Sequence, residues 1–533
     1  MGRIAEDYLC RARAARIYDL ARRTPLDLAP GLSARIGHNL WLKREDMQAT
    51  HSFKLRGAYN CIQQLTDEER SRGVVAASAG NHAQGVAMSA RELGVQATIF
   101  MPLTTPEIKV RAVEALGARI ELCGDDYDAA CEKAIAFSHQ SGGYFIHPFD
   151  NADVIAGQGT LGIEITDQLE TSPGVIFIPI GGGGLAAGVA ATIKAEHPLV
   201  RIIGVEPDDA ASMYAALKAG KPVDIGTTGI FADGVAVRKV GELTFELCRE
   251  LVDEVITVSV DQVCAAVKSI FEEVRAVVEP AGALAVAGAI QYANREAGNQ
   301  LPDGDWVALL SGANVNFDRL GHVVERCAVG EGTEALLAVA IPEKPGTFLE
   351  FCRSLGESSV TEFNYRFAGK RNAHIFVGVR LQESSRHLQK RLIDGGYGVK
   401  DLSDNEVAKL HMRHLVGGRL PSSDHERIYR FEFPERPGAL LEFLTVLAGR
   451  WSISLFHYRN HAAANARILA GFLVPPEDEQ AFHQFLKETG YRFTDETHNA
   501  ACEEFLAAPP ALQRPLKKVA GHRRVRNSLR TGY

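Results

Sequence analysis

Between Arg72 and about Ser311, short apolar runs alternate with longer segments whose apolar residues recur at helical spacing. Runs 74–77, 97–101, 119–123, 175–180, 201–205 and 306–310 predict strands. Segments 82–93, 106–116, 127–139 and 185–196 predict helices, the second opening on a proline at a tolerated first-turn position. Strands alternating with helices imply parallel sheet covered on both faces. In such folds ligands bind beyond the carboxyl ends of the strands, so the loops after them are where chemistry is expected.

After about residue 333 the pattern changes and a repeat appears. Ile341-Pro-Glu-Lys-Pro-Gly-Thr-Phe-Leu-Glu-Phe351 matches Phe433-Pro-Glu-Arg-Pro-Gly-Ala-Leu-Leu-Glu-Phe443. Asn364-Tyr365-Arg366 matches His457-Tyr458-Arg459, Phe376-Val377 matches Phe472-Leu473, and Gly396-Tyr397 matches Gly490-Tyr491. The offset stays at about 92 to 96 residues, the mark of one unit used twice. Each copy predicts strand, Pro-Gly turn, helix, strand, strand, helix, strand, a ferredoxin-like order. The expected organisation is a 1–330 region, repeats at 331–423 and 424–506, and a basic, disordered tail at 507–533 carrying Lys517, Lys518, Arg523 and Arg524.

The 533 residues are 46% apolar and 23% charged, ordinary for a soluble globular chain of several domains. A net charge of −8 gives no general attraction to nucleic acid or to an anionic membrane. No apolar run reaches the roughly 18 residues of a membrane span. The start of the chain lacks the apolar core of a secretory signal, and Glu6 and Asp7 argue against a transit peptide. The nine cysteines form no Cys-x-x-Cys pair, so all are expected as reduced, buried small hydrophobes in a cytoplasmic protein.

Four segments carry candidate chemistry. In Ser52-Phe53-Lys54-Leu55-Arg56-Gly57-Ala58, a lysine beside an aromatic ring opens a helical segment; burial and the nearby Arg56 charge would favour its free amine. Gly181-Gly182-Gly183-Gly184-Leu185 joins a strand to an alanine-rich helix and suits a phosphate, because glycine lets backbone N–H groups approach an anion. It lacks both the Gly-Lys-Ser/Thr ending of a nucleotide loop and the spaced glycines of a dinucleotide fold, so a smaller phosphate-bearing cofactor fits better. Ser78-Ala79-Gly80-Asn81-His82 follows a strand and suits a carboxylate or a ring oxygen, although Asn81 also reads as a plain N-cap and His82 as structural. Ser311-Gly312-Ala313-Asn314 follows another strand and also reads as a turn.

Together these motifs resemble the fold-type II family of pyridoxal-phosphate enzymes over about residues 15 to 330. Lys43-Arg44-Glu45-Asp46 and Glu279-Pro280-Ala281-Gly282 resemble its deaminase branch, and the repeats resemble the paired ACT-like regulatory domains of biosynthetic threonine dehydratases (threonine ammonia-lyases), including Ser359-Val-Thr-Glu-Phe-Asn-Tyr-Arg366. The resemblance implies an α/β catalytic region of two open sheets followed by two ferredoxin-like α+β repeats. It implies that Lys54 forms the internal aldimine of pyridoxal phosphate and then acts as base at Cα. It places Gly181, Gly182, Gly183, Gly184 and Leu185 on the phosphate, Phe53 against the ring, Asn81 at the ring hydroxyl and Ser311 at the pyridine nitrogen. Ser78, Ala79, Gly80 and Asn81 would receive the substrate carboxylate.

The implied reaction is elimination of water from L-threonine to give 2-oxobutanoate and ammonia, with L-serine as a secondary substrate. It would be the committed step of isoleucine biosynthesis, inhibited by isoleucine and activated by valine, in a homotetramer. Tyr365 and Tyr458 are candidate effector contacts, although each also reads as packing. No metal site is assigned; Glu206, Ala210 and Ser212 resemble a cation site of the serine racemase branch, although Glu206 also reads as a strand end. Serine racemisation or β-replacement on the same scaffold, and an amino-acid sensor with a dead catalytic half, are the competing readings.

Overall fold

The computed structural model describes residues 2–229, 231–296, 302–342, 351, 354–355, 358–365, 372–414, 425–434, 451–459 and 465–506. The N-terminal part carries β1 (Leu26–Leu28), β2 (Leu40–Arg44), β3 (Val74–Ala77), β4 (Ala97–Met101), β5 (Arg119–Leu122), β6 (Tyr144–Phe145), β7 (Val175–Pro179), β8 (Arg201–Pro207), β9 (Glu254–Val258) and β10 (Trp306–Leu310). They form two open sheets, β1-β2-β10-β7-β8-β9 and β5-β4-β3-β6. Every pairing is parallel except β1 with β2. Strands β3, β4, β7 and β10 are buried residue by residue, as expected of parallel strands covered on both faces.

The larger sheet separates two apolar layers. On one side, Ile176, Ile178 and Ile202 pack on the Ala152–Gln168 and Gly184–Glu196 helices; on the other, Val175, Phe177 and Ile203 pack on the Val260–Val274 and Pro280–Arg295 helices. Asn81, after β3 of the smaller sheet, and Asn314, after β10 of the larger, hydrogen-bond at 2.7 Å, so carboxyl ends of strands from the two sheets meet. Strands β1, β2 and β6 are too short or too polar for the apolar pattern alone to reveal, and β9, a β-branched run, is an element the sequence reading left out.

The C-terminal half carries β11 (Glu334–Pro342), β12 (Ser359–Tyr365), β13 (Asn372–Arg380), β14 (Gly398–Asp401), β15 (Glu426–Pro434), β16 (Ser452–Arg459), β17 (Asn465–Leu473) and β18 (Arg492–Asp495). Two antiparallel sheets result, β12-β13-β11-β14 and β16-β17-β15-β18, with the same strand order. Both register shifts fall at the same place, between Val360 and Glu362 and between Ile453 and Leu455. The helices Ser385–Asp394 and Glu479–Glu488 follow the third strand of each copy. The expected Pro-Gly turns and the first helix of each repeat fall largely, and the basic tail wholly, outside the described residues.

Strand register corrects one sequence match. Ile341 pairs with Ala373 and Phe433 with Ala466; Tyr365 pairs with Ile375 and Tyr458 with Ile468. Phe376 therefore corresponds to Leu469, not to Phe472. Phe376 and Leu469 share the apolar cluster between the two repeats, whereas Phe472 joins Phe482 in the core of the second. Each copy also ends in a short helix, Glu406–Leu410 and Ala500–Phe505, capped by Asn405 and Asn499. Asn405 Nδ2 donates to Asn499 Oδ1 at 3.1 Å, so the two caps meet.

Candidate active site

His51, with φ of 53°, turns the chain sharply after β2, in a backbone region that few non-glycine residues adopt. The turn lays Ser52 against Gly312 as an isolated antiparallel bridge. Phe53 N–H donates to the Ser311 carbonyl at 3.1 Å, and Ala313 N–H donates to the His51 carbonyl at 2.9 Å. Two motifs far apart in sequence thus share one backbone ladder. Lys54 begins the Lys54–Gln64 helix, and its Nζ donates to the Pro148 carbonyl at 2.8 Å and lies 5.2 Å from the Phe53 ring centroid. Enclosure of the ammonium, partly offset by Glu279, pulls Lys54 down from the ordinary lysine value to about 8.

Arg56 does not supply the expected push. Its guanidinium is fully buried between Glu45, at 2.8 Å, and Glu164, at 2.6 Å, so its charge is met there and not at Lys54. Lys43 joins the same cluster through Glu164 at 2.6 Å. The helix that opens with Lys54 is therefore anchored by buried ion pairs within its first turn.

The glycine loop leaves β7 and enters the Gly184–Glu196 helix, whose first-turn N–H groups have no intrahelical acceptors. Gly183 takes φ of +95°, which strongly favours glycine. A Cβ at Gly182 would fall 2.2 Å from the Phe149 ring. Thr244 Oγ1 donates to the Gly182 carbonyl at 2.6 Å. Asp150 in turn accepts the N–H groups of Glu242, Leu243 and Thr244 at 3.0–3.1 Å, holding the Glu242–Leu251 helix against the loop. Pro148, Phe149 and Asp150 thus bind the lysine amine, the loop and its support together, a role no motif announced.

Ser78, Ala79 and Gly80 form the half-buried loop after β3, and Ser78 Oγ accepts from Gly80 N–H at 3.2 Å. Asn81 is not an N-cap. The Asn81–Glu92 helix starts at Asn81 itself, Gly80 holds the cap position, and no side chain caps it. The Asn81 amide instead donates through Nδ2 to Glu279 Oε1 at 2.6 Å and accepts through Oδ1 from Asn314 Nδ2 at 2.7 Å. Glu279 is buried at the start of the Pro280–Arg295 helix; burial, then Asp233, pushes its carboxyl up to about 7. Ser311 is buried, and its Oγ donates to the Ala281 carbonyl at 3.3 Å. His82 is buried with Nε2 2.9 Å from the Ile146 carbonyl, and burial lowers it to about 3.

Elsewhere, Glu206 near the end of β8 accepts the N–H groups of Met213 and Tyr214, each at 2.8 Å, at the start of the Ser212–Ala219 helix. Ala210 and Ser212 flank it, but both carboxylate oxygens are engaged by backbone. Among the described residues no group of three or more His, Cys, Asp or Glu is arranged to hold a metal ion. Tyr365 ends β12, and Tyr458 takes the same register position on β16, well away in sequence from the lysine site. The cysteine expectation fails at Cys10, which is exposed because Tyr8, Leu9 and Ala12 form the buried face of the Gly2–Ala14 helix; Cys123, Cys131 and Cys327 are only half-buried. Cys61, Cys248, Cys264 and Cys502 are buried, and Cys352 lies outside the described residues.

The site suits a small phosphate-bearing aldehyde. An amine with a depressed pKa is held on the Pro148 carbonyl, next in sequence to the Phe149 ring against Gly182; a Cβ on any glycine of the loop would crowd its neighbours, and Ser52 Oγ is buried with no hydrogen-bond partner. A family model described as pyridoxal-phosphate-dependent enzyme matches residues 17–312, and one described as the C-terminal regulatory domain of threonine dehydratase matches 325–412 and 417–506. The biosynthetic L-threonine dehydratase of Escherichia coli K12 is 51% identical over 94% of this chain and 97% of its own length. The chain belongs to the biosynthetic threonine dehydratase family. The chloroplastic biosynthetic threonine dehydratase of Arabidopsis thaliana is 47% identical over 92% of this chain and 83% of its own. Among solved structures, the processed threonine deaminase isoform 2 of Solanum lycopersicum matches with a TM-score of 0.58 at 47% identity, covering 60% of this chain and 92% of that one. Maize serine racemase matches with a TM-score of 0.56 at 34% identity, covering 60% and 96%. As a member of the threonine dehydratase family, the chain is a pyridoxal-phosphate-dependent enzyme with a regulatory C-terminal half. No helix among the described residues is long and apolar enough to cross a membrane.

Proposed function

We propose that this chain deaminates L-threonine to 2-oxobutanoate and ammonia at Lys54, with L-serine as a secondary substrate. The observation that carries the reading is the enclosed Lys54 amine on the Pro148 carbonyl, one residue before Phe149, which packs on Gly182 and Gly184 of the glycine loop. Gly181, Gly182, Gly183, Gly184 and Leu185 would hold the phosphate, Phe53 would lie against the ring, and Asn81 and Ser311 would meet the ring oxygen and nitrogen. Bound pyridoxal phosphate supplies the electron sink that makes the Cα proton of an amino acid labile. Lys54 Nζ takes that proton, a positioned transfer worth about 10²–10⁴-fold. Ser78, Ala79 and Gly80, at the N-terminus of the Asn81–Glu92 helix, receive the substrate carboxylate. The Ser311 hydroxyl, unlike a carboxylate, does not force a proton onto the ring nitrogen, which favours elimination over transamination.

In this reading the enzyme is cytoplasmic and homotetrameric and commits carbon to isoleucine. Isoleucine inhibits and valine activates through the repeats, with Tyr365 and Tyr458 as contacts. The same strand order and register in both copies supports two related effector sites. The test is the visible spectrum of the purified protein before and after threonine, with 2-oxobutanoate assayed in the same cuvette. A band that shifts with threonine, with 2-oxobutanoate formed and both lost in Lys54→Ala, is the expected result. A band without 2-oxo acid would move the reading to racemisation or β-replacement, and no band in protein supplied with pyridoxal phosphate would sink it.

A further inference from the structure

The two ends of the Asn81 side-chain amide are both taken. Asn314 Nδ2 donates to the Thr50 backbone carbonyl at 2.8 Å and to Asn81 Oδ1 at 2.7 Å. A carbonyl oxygen can only accept, so the Asn314 atom facing Thr50 is the NH₂ group, and the Asn81 atom facing that NH₂ is its oxygen. Asn81 Nδ2 must then face Glu279 Oε1, at 2.6 Å. An amide nitrogen carries two hydrogens and Glu279 takes one, which leaves a single Asn81 N–H for another acceptor. Loops after β2 and β10 and the start of the Pro280–Arg295 helix converge to orient this one amide.

We propose that Asn314 is a positioning residue that, with Glu279 at the opposite end, fixes the Asn81 amide so that its one remaining N–H is presented to the ring oxygen of the cofactor. The proposal deepens the assignment of Asn81 made above and rests on it. Without Asn314, Asn81 Oδ1 loses its donor and the amide can turn over, presenting an oxygen where a donor is required. The chain Thr50–Asn314–Asn81–Glu279 therefore has a direction set by a backbone carbonyl that cannot reverse.

The test compares Asn314→Ala, Asn314→Asp and Asn81→Ala as full chains loaded with pyridoxal phosphate. Asn314→Asp keeps shape and volume but replaces the donor with an oxygen facing two acceptors. Melting temperature controls for folding. Both Asn314 variants are expected to shift the visible band and its pH dependence in the direction seen for Asn81→Ala. Cofactor affinity should fall about fivefold, as for one lost hydrogen bond of about 1 kcal/mol; kcat should fall more than KM changes. A wild-type band and affinity in folded Asn314→Ala and Asn314→Asp, with Asn81→Ala shifted, would overturn the proposal alone. A wild-type band and affinity in Asn81→Ala would overturn the Asn81 assignment and the proposal with it. Should Asn314→Asp fail to fold, the Asn314→Ala spectrum decides on the same criteria.

Discussion

Arg56 Nη1 and Glu164 Oε1 lie 2.6 Å apart, and neither side chain is more than 1% exposed. Glu45 holds the other edge of the guanidinium at 2.8 Å, and Lys43 completes the cluster through Glu164. Removing one partner of such a pair strands charge in a medium that cannot solvate it. Arg56→Ala is expected to lose about 3–5 kcal/mol. Arg56→Lys should recover only part of this, because one ammonium cannot span two carboxylates as a planar fork does. Denaturant unfolding of the catalytic part measures both; an Arg56→Ala protein of unchanged stability would show the cluster to be idle.

Cofactor capture should follow the protonation of Lys54. The cationic amine cannot attack an aldehyde, so the rate at which the apoprotein develops a cofactor band should rise with pH and level off above about 8. Linkage gives a second sign. Between about 8 and the ordinary lysine value of 10.5 the unfolded chain keeps a proton that folded Lys54 has shed. This group's contribution to stability therefore rises with pH across that window and is flat below it. Glu279, raised to about 7, acts in the opposite direction: from 4.5 to 7 the folded state holds a proton the unfolded chain has lost, so its contribution falls as pH rises. Comparing wild type with Lys54→Met and Glu279→Gln separates the two.

Gly183→Ala should disable the loop without unfolding the chain. A φ of +95° opposes any Cβ, and the added atom would meet Met213 Cε at 2.8 Å and Thr244 Cβ at 2.9 Å. Strain of this kind costs about 1–3 kcal/mol. Affinity for pyridoxal phosphate is expected to fall by roughly ten- to a hundredfold, since 1.4 kcal/mol is a factor of ten. Equilibrium dialysis reads it directly, and retained affinity would mean the phosphate is held elsewhere.

Control by the C-terminal half has a physical route at Arg326. Its Nε donates to Asp261 at 2.5 Å, on a catalytic helix, and its Nη2 pairs with Glu406 of the first repeat. Lys409 of that repeat also reaches Asp261, at 2.6 Å. Arg326→Ala is expected to leave kcat near wild type, to weaken the proposed inhibition by isoleucine several-fold, and to split thermal unfolding into two steps. A single unchanged transition with unchanged inhibition would assign the coupling to other contacts.

Local pattern was enough for the alternating strands and helices, the glycine loop, the lysine motif and the doubled C-terminal unit. Each is written in residues close together in the chain: apolar runs for buried parallel strands, consecutive glycines for a backbone that must approach an anion, and a motif repeated at a near-constant offset. The family followed from those motifs in order. What local pattern could not supply were partners. Asn81 looks like an N-cap until Glu279 and Asn314 arrive from distant segments to take its amide, and Arg56 looks like a neighbour of Lys54 until helix geometry aims it at Glu45 and Glu164. Phe376 matches Phe472 by letter, but strand register equates it with Leu469, because successive side chains on a strand face opposite ways and a shift of three changes the face. The sequence by itself determined the buried parallel strands β3, β4, β7, β8 and β10, the doubled C-terminal unit, and which chemistry the motifs can carry. Only the tertiary structure decided which charges meet and which way an amide points, because burial and pairing depend on residues that no window along the chain brings together.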